Sequence, residues 1–322
     1  MTAVLVTGVA GFIGSHVAEA LLQRGDQVIG IDNFDPFYPR VVKERNLAGL
    51  LNTAGFAFHE GDILDTGALG ALLTAETAVI HLAAKAGVRP SLAAPDAYVR
   101  ANALGTASVV EAVRAAGASR LVFGSSSSVY GDDTPAPFRE DAPAIAPVSP
   151  YAATKRAGEL LLASVAPHFG LRAAALRLFT VYGPRQRPDL AIHLFARRML
   201  AGQSITLFGD GSQARDYTYC SDIVSGILAA LDWTARAPIG LDIFNLGGSR
   251  AVPLRDMVST LGAALDIDPV IQWAPMQPGD VLNTAADLTK SGLVLGYQPR
   301  VTFEEGVREF VAWVRTHHDT NS

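Results

Sequence analysis

The sequence is short of cysteine, of positive charge and of long apolar runs, and each shortage closes off a class of protein. Cys220 is the only cysteine in 322 residues, so neither an intramolecular disulfide nor a cysteine-rich metal site can form. A lone thiol suits a reducing compartment, and the expected location is cytoplasmic. The formal net charge is -5. A nucleic-acid binder would show a basic excess, so no nucleic-acid partner is expected. No uninterrupted apolar stretch is long enough to span a bilayer, and no membrane partner is expected. The opening Thr2-Ala3-Val4-Leu5-Val6-Thr7-Gly8 has neither a basic region nor a long apolar one, so it does not read as a signal peptide. Seven histidines are scattered without ligand spacing, and no metal is expected. His317-His318 reads as part of a frayed tail.

The chain does have apolar residues in the right periodicity: 49% are hydrophobic and 18% charged, the profile of a well-packed globule. Short apolar runs at 4–7, 28–32, 56–60, 78–82 and 120–124 read as buried parallel strands. Helical stretches at 13–24, 68–73 and 98–116 separate them, a further helix is expected at 151–166 and a strand at 172–179. This alternation predicts an α/β fold with a Rossmann-type doubly wound parallel sheet. Residues 133–150 carry five prolines and read as a loop. Beyond Phe179 the pattern loosens: a helix ends over 197–201, a short strand is expected at 205–208, a turn at 209–211, and a helix at 222–231. The run 243–246 is a strand able to rejoin the main sheet, and 254–265 and 303–316 read as helices of a smaller C-terminal α/β lobe for substrate. The expected division is 1–178 plus about 220–250 for the sheet domain, and 179–219 plus 251–316 for the lobe.

The first strand runs into Gly8-Val9-Ala10-Gly11-Phe12-Ile13-Gly14 and then into an amphipathic helix. Glycines so spaced allow a tight turn and a close backbone approach to a pyrophosphate, which the helix N-terminus attracts. The spacing is G-x-x-G-x-x-G, not the commoner G-x-G-x-x-G. Asp32 ends the second strand, where a carboxylate accepts from both ribose hydroxyls and repels a 2′-phosphate, favouring NAD over NADP. Asp62, after the third strand, is placed to reach an adenine amine, although Asp after Gly is also ordinary turn chemistry.

Tyr151 and Lys155 form Y-x-x-x-K on one face of a helix. A tyrosine with an ordinary pKa of about 10 is a poor base at neutrality, and bringing it there takes about 4 kcal/mol of differential interaction. The lysine cation one turn away, with a positive nicotinamide ring, is expected to supply it. Alone, such a pair is common on helix surfaces. Just upstream, Ser125-Ser126-Ser127-Ser128-Val129-Tyr130-Gly131 follows a strand, where hydroxyls face the ligand crevice of an open sheet.

Taken together, these segments resemble the extended short-chain dehydrogenase/reductase family, and within it the nucleotide-sugar epimerases. The resemblance also rests on Asp32-Asn33-Phe34, His81-Leu82-Ala83-Ala84, Val181-Tyr182-Gly183-Pro184 and Arg215-Asp216-Tyr217. It implies an enzyme with tightly held NAD, a UDP-sugar substrate and a homodimer built on the helices at 98–116 and 151–166. It implies Tyr151 as base, Ser126 as its hydroxyl partner and Lys155 on the nicotinamide ribose. Cofactor contacts are implied for Gly8, Gly11, Phe12, Ile13, Gly14, Asp32, Asn33, Asp62, Ile63, Leu82, Ala83, Ala84, Lys85, Asn102 and Ser125. Substrate contacts are implied for Ser127, Ser128, Thr180, Arg187, Gln213, Arg215 and Asp280, with Arg215 and Gln213 at the nucleotide's phosphate or ribose.

Departures narrow the chemistry. Dehydratases of the family carry an Asp-Glu pair, and decarboxylases a Glu, where this chain has Ser127 and Ser128. Galactose-type epimerases usually have Asn at Thr180. The runs Phe179 to Asp189 and Asp32-Asn33-Phe34-Asp35-Pro36-Phe37-Tyr38 are similar to the UDP-glucuronate 4-epimerase branch, whose sugar needs a cation for its carboxylate. Arg187 is the residue carried over for that task. The alternatives are C4 epimerisation of neutral UDP-glucose, a dehydratase or decarboxylase, and a non-catalytic NAD sensor.

Overall fold

The computed structural model describes residues 2–248, 250–275 and 283–317. The first half lays down β1 (Ala3–Thr7), α1 (Phe12–Gln23), β2 (Gln27–Asp32), α2 (Arg40–Ala48), β3 (Phe56–Glu60), α3 (Thr66–Ala71) and β4 (Ala78–His81). Then come α4 (Val88–Ala93), α5 (Pro95–Tyr98), a π-helical stretch (Val99–Leu104), α6 (Gly105–Ala115), β5 (Arg120–Ser126), α7 (Pro150–Phe169) and β6 (Arg172–Leu178). The remainder contributes β7 (Thr180–Tyr182), α8 (Ala191–Leu200), β8 (Ile205–Phe208), β9 (Ala214–Tyr219), α9 (Cys220–Thr234) and β10 (Gly240–Leu246). The chain continues through β11 (Ala251–Pro253), α10 (Leu254–Leu265), β12 (Ile271–Ala274), α11 (Thr289–Leu295) and α12 (Phe303–His317).

Seven strands form one sheet in the order β10-β6-β5-β4-β1-β2-β3, every pairing parallel. Helices cover both faces, which is why these strands read as unbroken apolar runs. Alternate residues serve opposite faces: Val4, Val6, Ile80 and Val122 join one core, and Leu5, Val79, Leu121 and Phe123 the other. The chain winds from β1 out to β3, then crosses back to place β4 on the other side of β1. That reversal opens a crevice beyond the carboxyl ends of β1 and β4. The smaller lobe carries a three-stranded sheet, β11-β9-β7, and a two-stranded one, β12-β8.

Local signals explain the elements that frame the site. Helix α7 starts with Pro150 in its first turn, and the Ser149 side chain caps it by accepting from Ala152 N at 3.1 Å. It ends at Gly170, whose φ of 68° suits a left-handed cap. The expected strand at 120–124 extends through Ser125 and Ser126, so the serines are strand, not loop. The helix expected over 98–116 is instead three pieces, and its π-helical stretch turns Asn102 inward to 2% exposure. The strand expected at 243–246 exists, is longer, and pairs with β6. The frayed-tail reading fails for His317: α12 includes it, and its ring stacks on Trp313 at 5.1 Å. His318 lies outside the described residues. Among the described residues, no helix is long and apolar enough to cross a membrane.

Candidate active site

The crevice opens into a cleft of about 1040 Å³ running between the large sheet and the smaller lobe. It is large enough for two ligands end to end, since a single small-molecule site occupies roughly 300–1,000 Å³.

At one end stand the glycines. Gly8 has φ of +73°, and a Cβ there would lie 2.8 Å from the backbone of Ala83. A Cβ on Gly14 would lie 2.2 Å from the carbonyl oxygen of Gly8. Only glycine lets strand, turn and helix close so tightly. Gly11 caps α1 without a side-chain acceptor, so the first amides of the helix, at Phe12 and Ile13, are left for a ligand. Leu82, Ala83 and Ala84 form the opposite wall. The Thr7 hydroxyl accepts from Leu82 N and Ala83 N and also meets His81 Nδ1 at 2.8 Å, which ties β1 to β4. His81 Nε2 lies 3.1 Å from the Thr106 hydroxyl, and burial pushes the imidazole down to about 3, keeping it neutral.

Asp32 lies beside the glycines, 8% exposed. Its two oxygens accept from Ala10 N at 3.1 Å and Phe34 N at 2.8 Å, and each keeps a lone pair for a ribose hydroxyl. Burial raises its pKa, while Lys43, 3.8 Å away, opposes that. Asn33 donates to Asp62 at 3.0 Å, which joins the two candidate nucleoside contacts, and Ile63 lines the same wall. Lys85 pairs with Asp35 at 2.8 Å. Asn102 does not line the cleft. It holds the main chain of Lys85 from behind, accepting from Lys85 N at 2.8 Å and donating to Lys85 O and the Thr154 hydroxyl.

The cleft's middle holds Ser126, Tyr151 and Lys155. The Tyr151 phenol lies beside the Ser126 hydroxyl. Burial raises it above the ordinary value, and the Ser126 hydroxyl and the charge of Arg187 pull it back. The Lys155 ammonium is turned to the Gly124 carbonyl at 2.7 Å, and burial pushes it down to about 8. Behind this group, Ser125 donates to Glu159 at 2.6 Å, and Glu159 pairs with Arg177 at 2.9 Å, both 1% exposed.

Ser127, Ser128, Thr180, Arg187, Gln213 and Arg215 line the far end. Ser128 bonds Ser126 at 3.2 Å. Arg187 is gripped by Asp189 at 3.0 and 2.8 Å, and its guanidinium lies 5.1 Å from the Phe37 ring centroid. Burial works against its charge, and Asp189 outweighs that, so its pKa is raised. Buried carboxamide oxygens on Gln186 and Gln213 have no hydrogen-bond partner, and both residues line the cleft. Such orphaned acceptors call for a ligand's donors. Asp280 lies outside the described residues. Among the described residues, no cluster of metal-ligating side chains occurs.

Sequence reading missed Asp35, Glu159, Gln186 and Asp189 as site residues. Glu159 was findable, standing at i+8 from Tyr151 and i+4 from Lys155 on one helix face. The others stand in loops, where no helix or strand period marks them.

The glycine cradle and free helix end fit a dinucleotide, and comparison with known proteins agrees. A model of the NAD dependent epimerase/dehydratase family matches residues 4–247. The UDP-glucuronate 4-epimerase of Thermodesulfobacterium geofontis is 39% identical over 96% of this chain and 95% of its own. The crystal structure of the Bacillus cereus UDP-glucuronic acid 4-epimerase with UDP-glucuronic acid and NAD superposes with a TM-score of 0.92 at 38% identity, covering 98% of this chain and 99% of that one. The Thermotoga maritima UDP-glucose 4-epimerase with UDP-glucose gives 0.88 at 32%, covering 98% and 99%. A nearly full-length likeness and a family match over most of the chain agree with the geometry: this chain belongs to the NAD dependent epimerase/dehydratase family.

Proposed function

We propose that this chain interconverts UDP-glucuronic acid and UDP-galacturonic acid by inverting C4, with an NAD that stays bound through turnover. The observation that carries the reading is Arg187, a cation in the cleft near enough to Tyr151 to lower its pKa. A uronate carries a carboxylate for that guanidinium and a neutral hexose does not. The Bacillus cereus enzyme crystallised with UDP-glucuronic acid supports it.

Gly8, Gly11 and Gly14 with the start of α1 hold the pyrophosphate. Asp32 takes the adenosine ribose and disfavours a 2′-phosphate, Asp62 faces the adenine, and Lys85 and Lys155 bind further along the cofactor. Bound NAD supplies a reversible two-electron acceptor for the C4–H bond. Tyr151 takes the C4 hydroxyl proton and Ser126 braces or relays it. The 4-keto sugar turns about its bond to the diphosphate and presents its other face; C4 there regains the hydrogen and electron pair it gave up, and Tyr151 returns the proton to the oxygen. Gln213 and Arg215 hold the nucleotide end meanwhile.

A 4-keto uronate is a β-keto acid and loses CO₂ when its carboxylate bond stands perpendicular to the carbonyl. Arg187, Thr180 and Ser128 hold that bond nearer the plane. Serines at 127 and 128 offer no carboxyl group for elimination. Residues 1–178 plus about 220–250 form the NAD-binding domain, and 179–219 plus 251–316 the sugar-nucleotide lobe. The active form is a cytoplasmic homodimer, a reading supported by the exposed Val99, Leu104 and Leu160 on the helices that would pair.

Purified protein incubated with UDP-glucuronic acid and no added NAD, followed by NMR, yields UDP-galacturonic acid. No reaction with that sugar, and turnover of UDP-glucose, would replace this reading with the neutral-sugar one that the Thermotoga maritima likeness favours.

A further inference from the structure

Arginine has a long, mobile side chain, and a clamp that must hold a carboxylate in one plane needs that mobility removed. Two residues remove it here. Asp189 takes Nε at 3.0 Å and Nη2 at 2.8 Å, which fixes the rotation of the guanidinium. Phe37 lies with its ring centroid 5.1 Å from the Arg187 Cζ, within cation–π range, which limits the tilt of the guanidinium. Among the described residues Nη1 has no hydrogen-bond partner, so the edge shared by Nη1 and Nη2 is left for a ligand's carboxylate.

Phe37 is itself fixed from the cofactor side. Asp32 accepts from Phe34 N at 2.8 Å, Asn33 from Asp35 N at 2.9 Å, and Asp35 from Phe37 N at 3.0 Å. Each side chain so secures the backbone two residues on. Lys43 donates to Asp35 O at 2.9 Å, and Lys85 pairs with the Asp35 carboxylate. Phe34 is kept at φ of 51°, a left-handed conformation that a bulky residue holds only when its surroundings demand it. The segment is a stiff rod from the ribose-binding carboxylate to the face of Arg187.

We infer that Phe37 and Asp189 form the socket that aims Arg187, so that selectivity for a uronate is set partly by the loop that follows Asp32. This rests on the proposed reading of Arg187 as the carboxylate clamp. Phe37 and Asp189 are positioning residues: they act on the sugar through Arg187.

The test compares wild type, Phe37→Leu, Phe37→Tyr and Asp189→Asn, each loaded with NAD. Calorimetric Kd values are measured for UDP-glucuronic acid and UDP-glucose, and NMR follows the fraction of product that has lost CO₂. Phe37→Leu and Asp189→Asn each weaken UDP-glucuronic acid by about tenfold, leave UDP-glucose unchanged and raise the decarboxylated fraction. Phe37→Tyr keeps the aromatic face and behaves as wild type. A wild type with no preference for the uronate refutes the clamp, and the socket with it. A wild type that prefers the uronate, with a Phe37→Leu that keeps the whole preference or weakens both sugars equally, refutes the socket alone.

Discussion

Glu159→Gln is the substitution whose cost the structure fixes best. Arg177 and Glu159 are each 1% exposed, joined by two hydrogen bonds of 3.0 and 2.9 Å. Burial alone raises the Glu159 carboxyl, and Arg177, with Ser125 and Arg156, outweighs it and holds the group below the usual carboxylate value. A glutamine keeps the shape and removes the charge. The guanidinium is then left with the Glu140 carbonyl at 3.5 Å and the Tyr130 face at 4.6 Å. Stranding one member of a buried pair costs roughly 3–5 kcal/mol. Glutamine still accepts one hydrogen bond, so the lower end, about 3 kcal/mol, is expected. That is a large part of the 5–15 kcal/mol that typically holds a domain together. The assay is urea unfolding followed by far-UV circular dichroism at one fixed NAD concentration, because a bound ligand adds its own stability. A loss below about 1 kcal/mol refutes the reasoning. A double variant with leucine at both positions should recover most of the loss, since the cost lies in the unpaired charge. Turnover should fall as well, through kcat more than KM, because Glu159 anchors the helix that carries Tyr151 against the strand that carries Ser126.

Three further outcomes are expected. Tyr151→Phe should lose about 10²–10⁴-fold in kcat while still binding UDP-glucuronic acid, and near-normal turnover would remove the base assignment. Gly14→Ala places a methyl 2.2 Å from Gly8 O, so the purified protein should carry less NAD and melt lower; full cofactor content by chromatography of the denatured protein would contradict this. Burial pushes His81 down to about 3 and His193 to about 4, against roughly 6.5 in an unfolded chain. Between pH 6.5 and 4.5 the unfolded chain therefore binds protons that the folded one refuses. Stability should fall with pH across that window by about 1.4 kcal/mol per unit for each histidine, and an unchanging urea midpoint there would sink the argument.

The large sheet was legible because its strands are buried on both faces, which leaves β1, β2, β4 and β6 as apolar runs with no competing period. The smaller lobe was legible in part: the stretches 205–208, 254–265 and 303–316 are β8, α10 and α12, while its shortest strands went unread. Strands β7 and β11 are three residues long, and β7 finds its partner in β9, across a helix and another strand. Nothing local in Thr180–Tyr182 announces that pairing. Helix α2 is mostly polar, so its periodicity is faint. The site divides the same way. The glycines and the Tyr151–Lys155 pair follow from spacing on single elements. The grip of Asp189 and Phe37 on Arg187 arises where two loops meet, and no single stretch of sequence contains it.

The strand β10 has a consequence for how the molecule comes into being. It is the outermost strand of the large sheet, yet it is made only after β7, β8 and β9 of the other lobe. Until residue 246 has left the ribosome, β6, with its sequence RAAALRL, is an open edge whose middle, Ala173 to Leu176, is wholly apolar. A nascent chain stopped near residue 178 would present six strands and a template for strangers. The growing protein has to keep that edge from other chains while it synthesises the segment that will cap it, and a chain cut between the lobes would be a fragment prone to clumping rather than a smaller folded domain.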